Sequence, residues 1–128
     1  IVVGATTSGD GKAGFSNWGT PIDISAPGQN VRSTTLGGSH WISSGTSFSC
    51  PIVAGAVALM FSADDSLEPE EVEQLLYDGA VDLGAVGEDI FFGNGRLDTY
   101  QSLVALGDVV GEPTLIPLPF FEDFEDFV

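Results

Sequence analysis

A short hydroxyl-rich turn runs directly into an apolar segment, and it is the part of the sequence best suited to chemistry. Residues 44–51 are Ser-Gly-Thr-Ser-Phe-Ser-Cys-Pro, and residues 52–61 are entirely apolar or glycine. The pattern predicts a helix from Ser47 to about Ser62, with backbone N–H groups and the positive end of the helix dipole around the Ser47 hydroxyl. Ser47 is therefore a candidate nucleophile for acyl transfer, and its own N–H is a candidate donor to the oxyanion.

A serine at a helix start also has a purely structural interpretation, as the cap of that helix. A serine nucleophile needs a base, and the single histidine, His40, lies only seven residues earlier, in a segment that we expect to be one arm of a hairpin. The sequence around Ser47 is not the Gly-x-Ser-x-Gly elbow of α/β-hydrolases. Spacing alone leaves both interpretations of Ser47 open.

The segments that must position this turn alternate between strand and helix patterns. Strands are predicted at 1–5, at 22–26, at 31–35 and at 40–42, with Gly37 and Gly38 closing a hairpin between the last two. The helix that begins at Ser47 carries Pro51 near its first turn and is apolar all round, so we expect it to be central.

Two further helices are expected downstream of the central helix. One follows Pro69 and ends at Gly79, and the other is capped by Asp98 and closed by Gly107. A short strand is expected at 90–92 between them. Together with the strands upstream, these helices predict an α/β fold.

The charge and hydropathy of the chain exclude two classes of partner. The chain has 19 acidic and 3 basic side chains and a formal charge of −16, so the phosphates of a nucleic acid would be repelled. The longest apolar run has ten residues, against the roughly 20 that a membrane-spanning helix needs. We therefore expect no nucleic-acid partner and no membrane span.

The two ends of the sequence suggest how it is organised. The first residues predict a strand already in progress, so we expect the chain to be part of something longer. Residues 1–106 carry a net charge of −10, whereas 107–128 carry −6 with three prolines and no base. We predict a domain portion at 1–106 and an acidic linker, or the start of a following module, at 107–128. Cys50 is expected to be a small buried filler.

A family resemblance rests on four segments of the sequence. Residues 45–51, followed by Val-Ala-Gly at 53–55, resemble the active-site serine signature of the subtilisin-like serine peptidases, or subtilases. Residues 15–19 and 23–28 resemble the segments that lead to that serine, and 93–98 resemble the turn before the final helix. The resemblance covers residues 1 to about 106. It implies the C-terminal part of a three-layer α/β/α sandwich with a mostly parallel sheet.

The resemblance also implies roles for individual residues in peptide-bond hydrolysis. Ser47 would be the nucleophile, with its N–H in the oxyanion hole. Phe15 and Phe48 would line the leaving-group side of the cleft, and Ser43 and Ser44 would edge the acyl side. Thr46 would be a further substrate-binding residue. A peptide or protein would be the substrate, and a secreted or extracellular location is inferred from the family.

The sequence departs from the subtilase pattern in one important respect. Subtilases order their triad Asp, His, Ser, and neither the Asp motif nor the His motif is in these 128 residues. The isolated chain is therefore expected to be inactive and to require an upstream part of the same catalytic domain. The alternative is a non-catalytic, truncated subtilase-like binding or structural module.

Asp23 is the residue to consider for a cation. Some subtilases place a carboxylate of a cation site at this position, but calcium takes about six to eight oxygen ligands. We expect a strand-edge or turn role for Asp23, no metal ligand in this chain and no cofactor, with calcium left open for a longer protein.

Overall fold

Four strands and three helices form the described part of the chain, residues 1–110 of a computed structural model. In chain order they are β1 (Val3–Thr6), β2 (Ile24–Pro27), β3 (Val31–Thr35), β4 (Ser39–Ser43), α1 (Thr46–Ala63), α2 (Pro69–Asp78) and α3 (Thr99–Val110). The predicted linker or module lies outside the described residues from position 111 onward, and the boundary at 106 stays a prediction.

A parallel sheet forms the centre of this part of the molecule. β1 and β2 pair in parallel, from Val3 opposite Ile24 to Thr6 opposite Pro27. Residues 95–97 add a short extended segment on the other side of β2, because Ser25 donates its N–H to Gly95 and accepts one from Leu97, both at 2.8 Å. The predicted α/β class with a parallel sheet is confirmed.

Helix α1 packs on this sheet along one face only. Its buried residues recur every three or four positions, the spacing of a single helix face; they are Ser49, Val53, Ala56 and Met60. Leu76 and Leu106 bring α2 and α3 into the same core. The expectation of a helix apolar all round holds for its composition, but within residues 1–110 its other face is open, with Ile52 36% and Leu59 45% exposed.

The length of α1 changes the argument about membranes. By length and composition its 18 residues would suffice to cross a bilayer, although core helices of folded domains meet the same criterion. Because α1 is longer than the ten-residue apolar run within it, the length of that run no longer argues against a membrane span. The buried stripe of α1 on β1 and β2 is the observation that favours a core helix.

Three local predictions differ from the structure. Residues 90–92 form a turn rather than a strand, because the N–H groups of Phe91 and Phe92 both bond the Asp89 carboxylate instead of a neighbouring strand. Helix α3 continues through Gly107 to Val110. Pro51 lies beyond the first turn of α1, inside the helix, where it removes the N–H that would bond the Ser47 carbonyl.

The hairpin prediction is confirmed. β3 and β4 are antiparallel, with Thr35 opposite Ser39. Gly37 and Gly38 at its tip have φ angles of 85° and 74°, a conformation that glycine adopts without steric cost. β4 leads directly into the turn before α1, so the hairpin delivers the candidate residues to the start of that helix.

Candidate active site

Ser47 is the second residue of α1 and is exposed. The cap of this helix is Gly45, and no side chain caps it. The interpretation of Ser47 as the helix cap is therefore wrong. Its backbone N–H belongs to the first turn, where N–H groups have no acceptor within the helix. An exposed hydroxyl thus lies beside an N–H group that is available to an oxyanion.

The first turn of α1 is held on the end of β2 by tertiary hydrogen bonds. Gly45 donates its N–H to the Gly28 carbonyl at 2.8 Å. Ser49 is fully buried and donates its hydroxyl to the Ala26 carbonyl at 3.0 Å. We call these four residues, Ala26, Gly28, Gly45 and Ser49, the β2–α1 junction. Since Ser49 is buried two positions after an exposed Ser47, the junction fixes which face of the helix points outward.

Gly28 allows the two elements at this junction to approach closely. Its N–H donates to the Thr6 carbonyl at 3.0 Å, which ties it to β1 as well. A Cβ added at Gly28 would overlap the Ser49 hydroxyl, the Ala5 methyl group and the Gly45 carbonyl. The φ angle of Gly28 is not in the left-handed region. Glycine is therefore required here by space rather than by backbone conformation.

The site lies at the carboxyl ends of two parallel strands. β1 ends at Thr6 and β2 at Pro27, one residue before the junction glycine. In open parallel sheets, ligands bind beyond the carboxyl ends of the strands. The uncapped start of α1 is thus in the usual place for a binding or catalytic centre of an α/β protein.

The other predicted site residues come from two segments. Ser43 ends β4, and Ser44, Thr46 and Phe48 follow it into α1, so the structure brings these four to Ser47 through the chain itself. The Ser44 hydroxyl accepts the Asn30 N–H at 2.9 Å, which holds this turn against the start of β3.

Phe15 comes from a different segment, the connection between β1 and β2, and is 47% exposed. Its neighbour Ser16 is buried and accepts the Ala5 N–H at 2.9 Å, so this part of the connection is fixed to β1. The position of Phe15 with Phe48 on the leaving-group side of the cleft stays a prediction.

His40 lies where the sequence predicts, in the hairpin. It lies in β4, is exposed and is paired with Thr34 of β3. It lies three positions before Ser43, which at the rise of an antiparallel strand is about 10 Å along β4. The placement of His40 along β4 argues against a catalytic pair with Ser47.

Asp23 has a structural partner. Its carboxylate accepts the Val2 N–H at 2.6 Å, and its backbone carbonyl accepts the N–H and the side-chain amide of Asn94. These bonds fit the predicted strand-edge role. Among residues 1–110 no group of three or more His, Cys, Asp or Glu side chains is arranged to hold a metal ion.

Sequence reasoning missed two contacts that shape this region. One is the Ser49 to Ala26 bond, and the other is the ion pair between Arg96 and Asp10 at 2.7 Å, which links the 95–97 segment to the loop after β1. Asp10 has a φ angle of 59°. The one available signal for the ion pair was the scarcity of bases, since only three side chains can partner 19 acids. Cys50, expected to be buried, is exposed.

Comparison with known proteins decides the family. The model of the subtilase family matches residues 1–95, which is most of the 128-residue chain. The chain belongs to the subtilase family. The match includes Ser47, the hairpin and the β2–α1 junction, and the predicted resemblance to the subtilases is confirmed.

Individual subtilases are similar over parts of the chain. An alkaline serine exoprotease A of Vibrio alginolyticus is 42% identical over 59% of the chain. An extracellular protease of Xanthomonas campestris is 49% identical over 59%, and subtilisin of Bacillus pumilus is 36% identical over 77%. The matched regions cover 14%, 14% and 34% of these relatives, respectively.

Proposed function

We propose that this chain is the nucleophile-bearing portion of a subtilisin-like serine endopeptidase. The observation that carries the proposal is the exposed Ser47 at the uncapped start of α1, beyond the carboxyl ends of a parallel sheet. Ser47 Oγ attacks a peptide carbonyl, the amine leaves, and water releases the acyl-enzyme. The Ser47 N–H donates to the oxyanion of the tetrahedral intermediates.

The general base and its aspartate come from outside these 128 residues. His40 is an exposed residue of the hairpin, paired with Thr34 of β3, and we assign the general base instead to an upstream part of the same catalytic domain. Helix α1 has an exposed apolar face that includes Ile52 and Leu59. This face supports the proposal that another part of the same catalytic domain packs against α1. Without that part the chain is inactive, because loss of triad members typically costs several orders of magnitude in rate.

Substrate and location follow from the same proposal. The substrate is a peptide or protein, with Phe15 and Phe48 on the leaving-group side, Ser43 and Ser44 on the acyl side, and Thr46 as a further substrate-binding residue. The names of the relatives from Vibrio and Xanthomonas, an exoprotease and an extracellular protease, support secretion of the full-length protein.

The test is covalent labelling of the full-length protein with a fluorophosphonate. We expect stoichiometric labelling that Ser47→Ala abolishes. Ser62→Ala is the matched control, because Ser62 is another exposed serine of α1 at the far end of the helix. The isolated 128-residue chain should neither cleave a peptide nor label at an appreciable rate.

Labelling of the Ser47→Ala protein at this helix would overturn the assignment of the nucleophile. A full-length protein that neither labels nor cleaves any peptide would favour the alternative, a non-catalytic module with a subtilase-like fold.

A further inference from the structure

We propose that Gly28 is a positioning residue for Ser47, and this inference rests on the function proposed above. Gly28 contacts no substrate in that mechanism. Its role is to let the first turn of α1 close on the ends of β1 and β2, so that the Ser47 hydroxyl and N–H point to the same place. The residue lies 19 positions before the nucleophile in the sequence.

Hydrogen bonds from two elements meet at Gly28. Its N–H bonds Thr6 at the end of β1, and its carbonyl accepts the N–H of Gly45, the cap of α1. Through these two bonds one residue joins β1 to the residue that precedes the first turn of α1. A displacement of Gly28 is therefore transmitted to the start of the helix.

The packing around Gly28 leaves no room for a side chain. A methyl group at Gly28 would overlap the hydroxyl of Ser49, the methyl of Ala5 and the carbonyl of Gly45. Ala5 and Ser49 are buried at 1% and 0% exposure, so neither side chain can turn into solvent. The strand is held by its sheet, and the helix start is the part that would move.

Acyl transfer to Ser47 is sensitive to a movement of the start of α1. Acyl transfer needs the nucleophile within about 3–3.5 Å of the carbonyl carbon and in line with it, and a misplacement of about 1 Å can cost a factor of about 100. Ground-state binding of a long peptide is spread over many contacts. We therefore expect a displacement of the helix start to lower kcat and to change KM little.

The chain offers a matched control in Gly79, the last residue before the α2–α3 connection. A Cβ there would overlap Ser102 as severely as one at Gly28 overlaps Ser49. Gly79 has a φ angle of −85°, so alanine meets no backbone strain there either. Ser102, like Ser49, is a fully buried serine, with its hydroxyl bonded to the Asp98 carbonyl at 3.0 Å. The two sites differ in their relation to Ser47: Gly28 contacts the start of the helix that carries Ser47, whereas Gly79 contacts α3.

The experiment compares Gly28→Ala and Gly79→Ala in the full-length protein. Both should lower the thermal unfolding midpoint. We expect Gly28→Ala to reduce kcat and the fluorophosphonate labelling rate by a factor on the order of 10 to 100 with KM changed less than about threefold, and Gly79→Ala to leave both rates within about threefold. Ser49→Ala removes one of the overlapping atoms, so adding it to Gly28→Ala should lower the labelling rate by a smaller factor than Ser49→Ala does in the wild-type protein.

A second variant keeps the test usable if Gly28→Ala does not fold. Ser49→Thr adds a methyl group to the same junction from the helix side and should also lower kcat more than KM. Wild-type kcat in folded Gly28→Ala, or an equal loss of kcat in Gly79→Ala, would overturn the positioning role. If the wild-type protein itself fails to label at Ser47, the proposed function fails instead, whatever the Gly28 variants do.

Discussion

The starts of α1 and α2 use opposite means to satisfy the same backbone groups. In α2, the Glu68 side chain accepts the N–H of Glu71, and the Glu71 carboxylate accepts the N–H of Glu68 at 2.8 Å. In α1 the cap is Gly45, there is no side-chain cap, and the first turn holds no acid. The N–H groups of Glu68 and Glu71 in α2 are bonded by local side chains. At the start of α1 the Phe48 N–H donates to the Gly45 carbonyl at 3.0 Å, and no side chain caps the first turn that holds the Ser47 N–H.

The open end needs another source of stability. A glycine cap typically costs roughly a few tenths of a kcal/mol relative to a side-chain cap, and α1 obtains its anchor from the β2–α1 junction instead. The bonds from Gly45 to Gly28 and from Ser49 to Ala26 hold the helix start without occupying the N–H of Ser47. This arrangement suits a helix whose first turn receives an oxyanion.

Closing the start of α1 should have the largest effect. Gly45 has a φ angle of 161° and a ψ angle of 155°, extended backbone that any residue adopts, and a Cβ there would meet only ordinary contacts at 3.7 Å or more. In Gly45→Asp the carboxylate would bond the first-turn N–H groups. We expect the labelling rate of the full-length protein to fall about 100-fold, as for loss of an oxyanion donor.

The controls for this change separate capping from bulk and charge. Gly45→Ala adds bulk without an acceptor and should label within a few fold of wild type. Gly45→Asn adds a neutral cap and should be as slow as Gly45→Asp. Equal labelling of the aspartate and alanine variants would show that these N–H groups take no part in the reaction.

Features that depend on residues close together in the sequence could be predicted from it. The hairpin at Gly37 and the cap of α3 at Asp98 depend on neighbours within a few residues, and both were predicted correctly; Asp98 accepts the Gln101 N–H at 3.1 Å. The turn at 90–92 was predicted as a strand, since its residue types favour strands and the competing bonds to Asp89 are not visible in periodicity.

The junction that positions Ser47 has no local signal. The Ser49 hydroxyl bonds a carbonyl 23 residues away, and Gly28 is needed because of atoms from β1 and α1 rather than because of its own φ angle. The nucleophile itself was identifiable because its motif is contiguous. What holds it in place depends on tertiary packing, which a single sequence does not display.

A third set of N–H groups is closed by Asp89. Its carboxylate accepts the N–H groups of Ala85, Phe91 and Phe92 at 2.7 to 2.9 Å. Burial raises the pKa of this carboxyl, but the bonds from Phe92, Phe91 and Ala85 together lower the pKa below its ordinary value. Because the folded-state pKa is depressed, the stabilisation is fully present above the unfolded pKa of about 3.9 and is lost as the pH falls through the folded value.

Asp89→Asn should therefore be destabilising in a pH-dependent way. The amide nitrogen cannot accept a bond, so we expect a loss of about 1–2 kcal/mol at neutral pH, measured by urea unfolding of the full-length protein in a Ser47→Ala background that prevents autolysis. The difference from the parent should persist down to about pH 5 and shrink below about pH 4. Asp65→Asn, the same change at an exposed site, should show neither effect; a pH-independent difference at Asp89 would contradict the bonding described here.

Opening the start of α2 should have the smallest effect and none on catalysis. Glu71→Ala removes the acceptor for the Glu68 N–H and one half of the reciprocal cap, whereas Glu70→Ala removes the same charge from the same first turn without touching the cap. We expect Glu71→Ala to cost about 0.5–1 kcal/mol more than Glu70→Ala in urea unfolding, with the labelling rate unchanged in both when Ser47 is present. The caps of α1 and α2 would then differ in function as well as in form: a change at the closed helix end lowers stability alone, and a change at the open end lowers the rate. Equal stability of the two glutamate variants would remove the structural half of that contrast, and slower labelling of Glu71→Ala would remove the catalytic half.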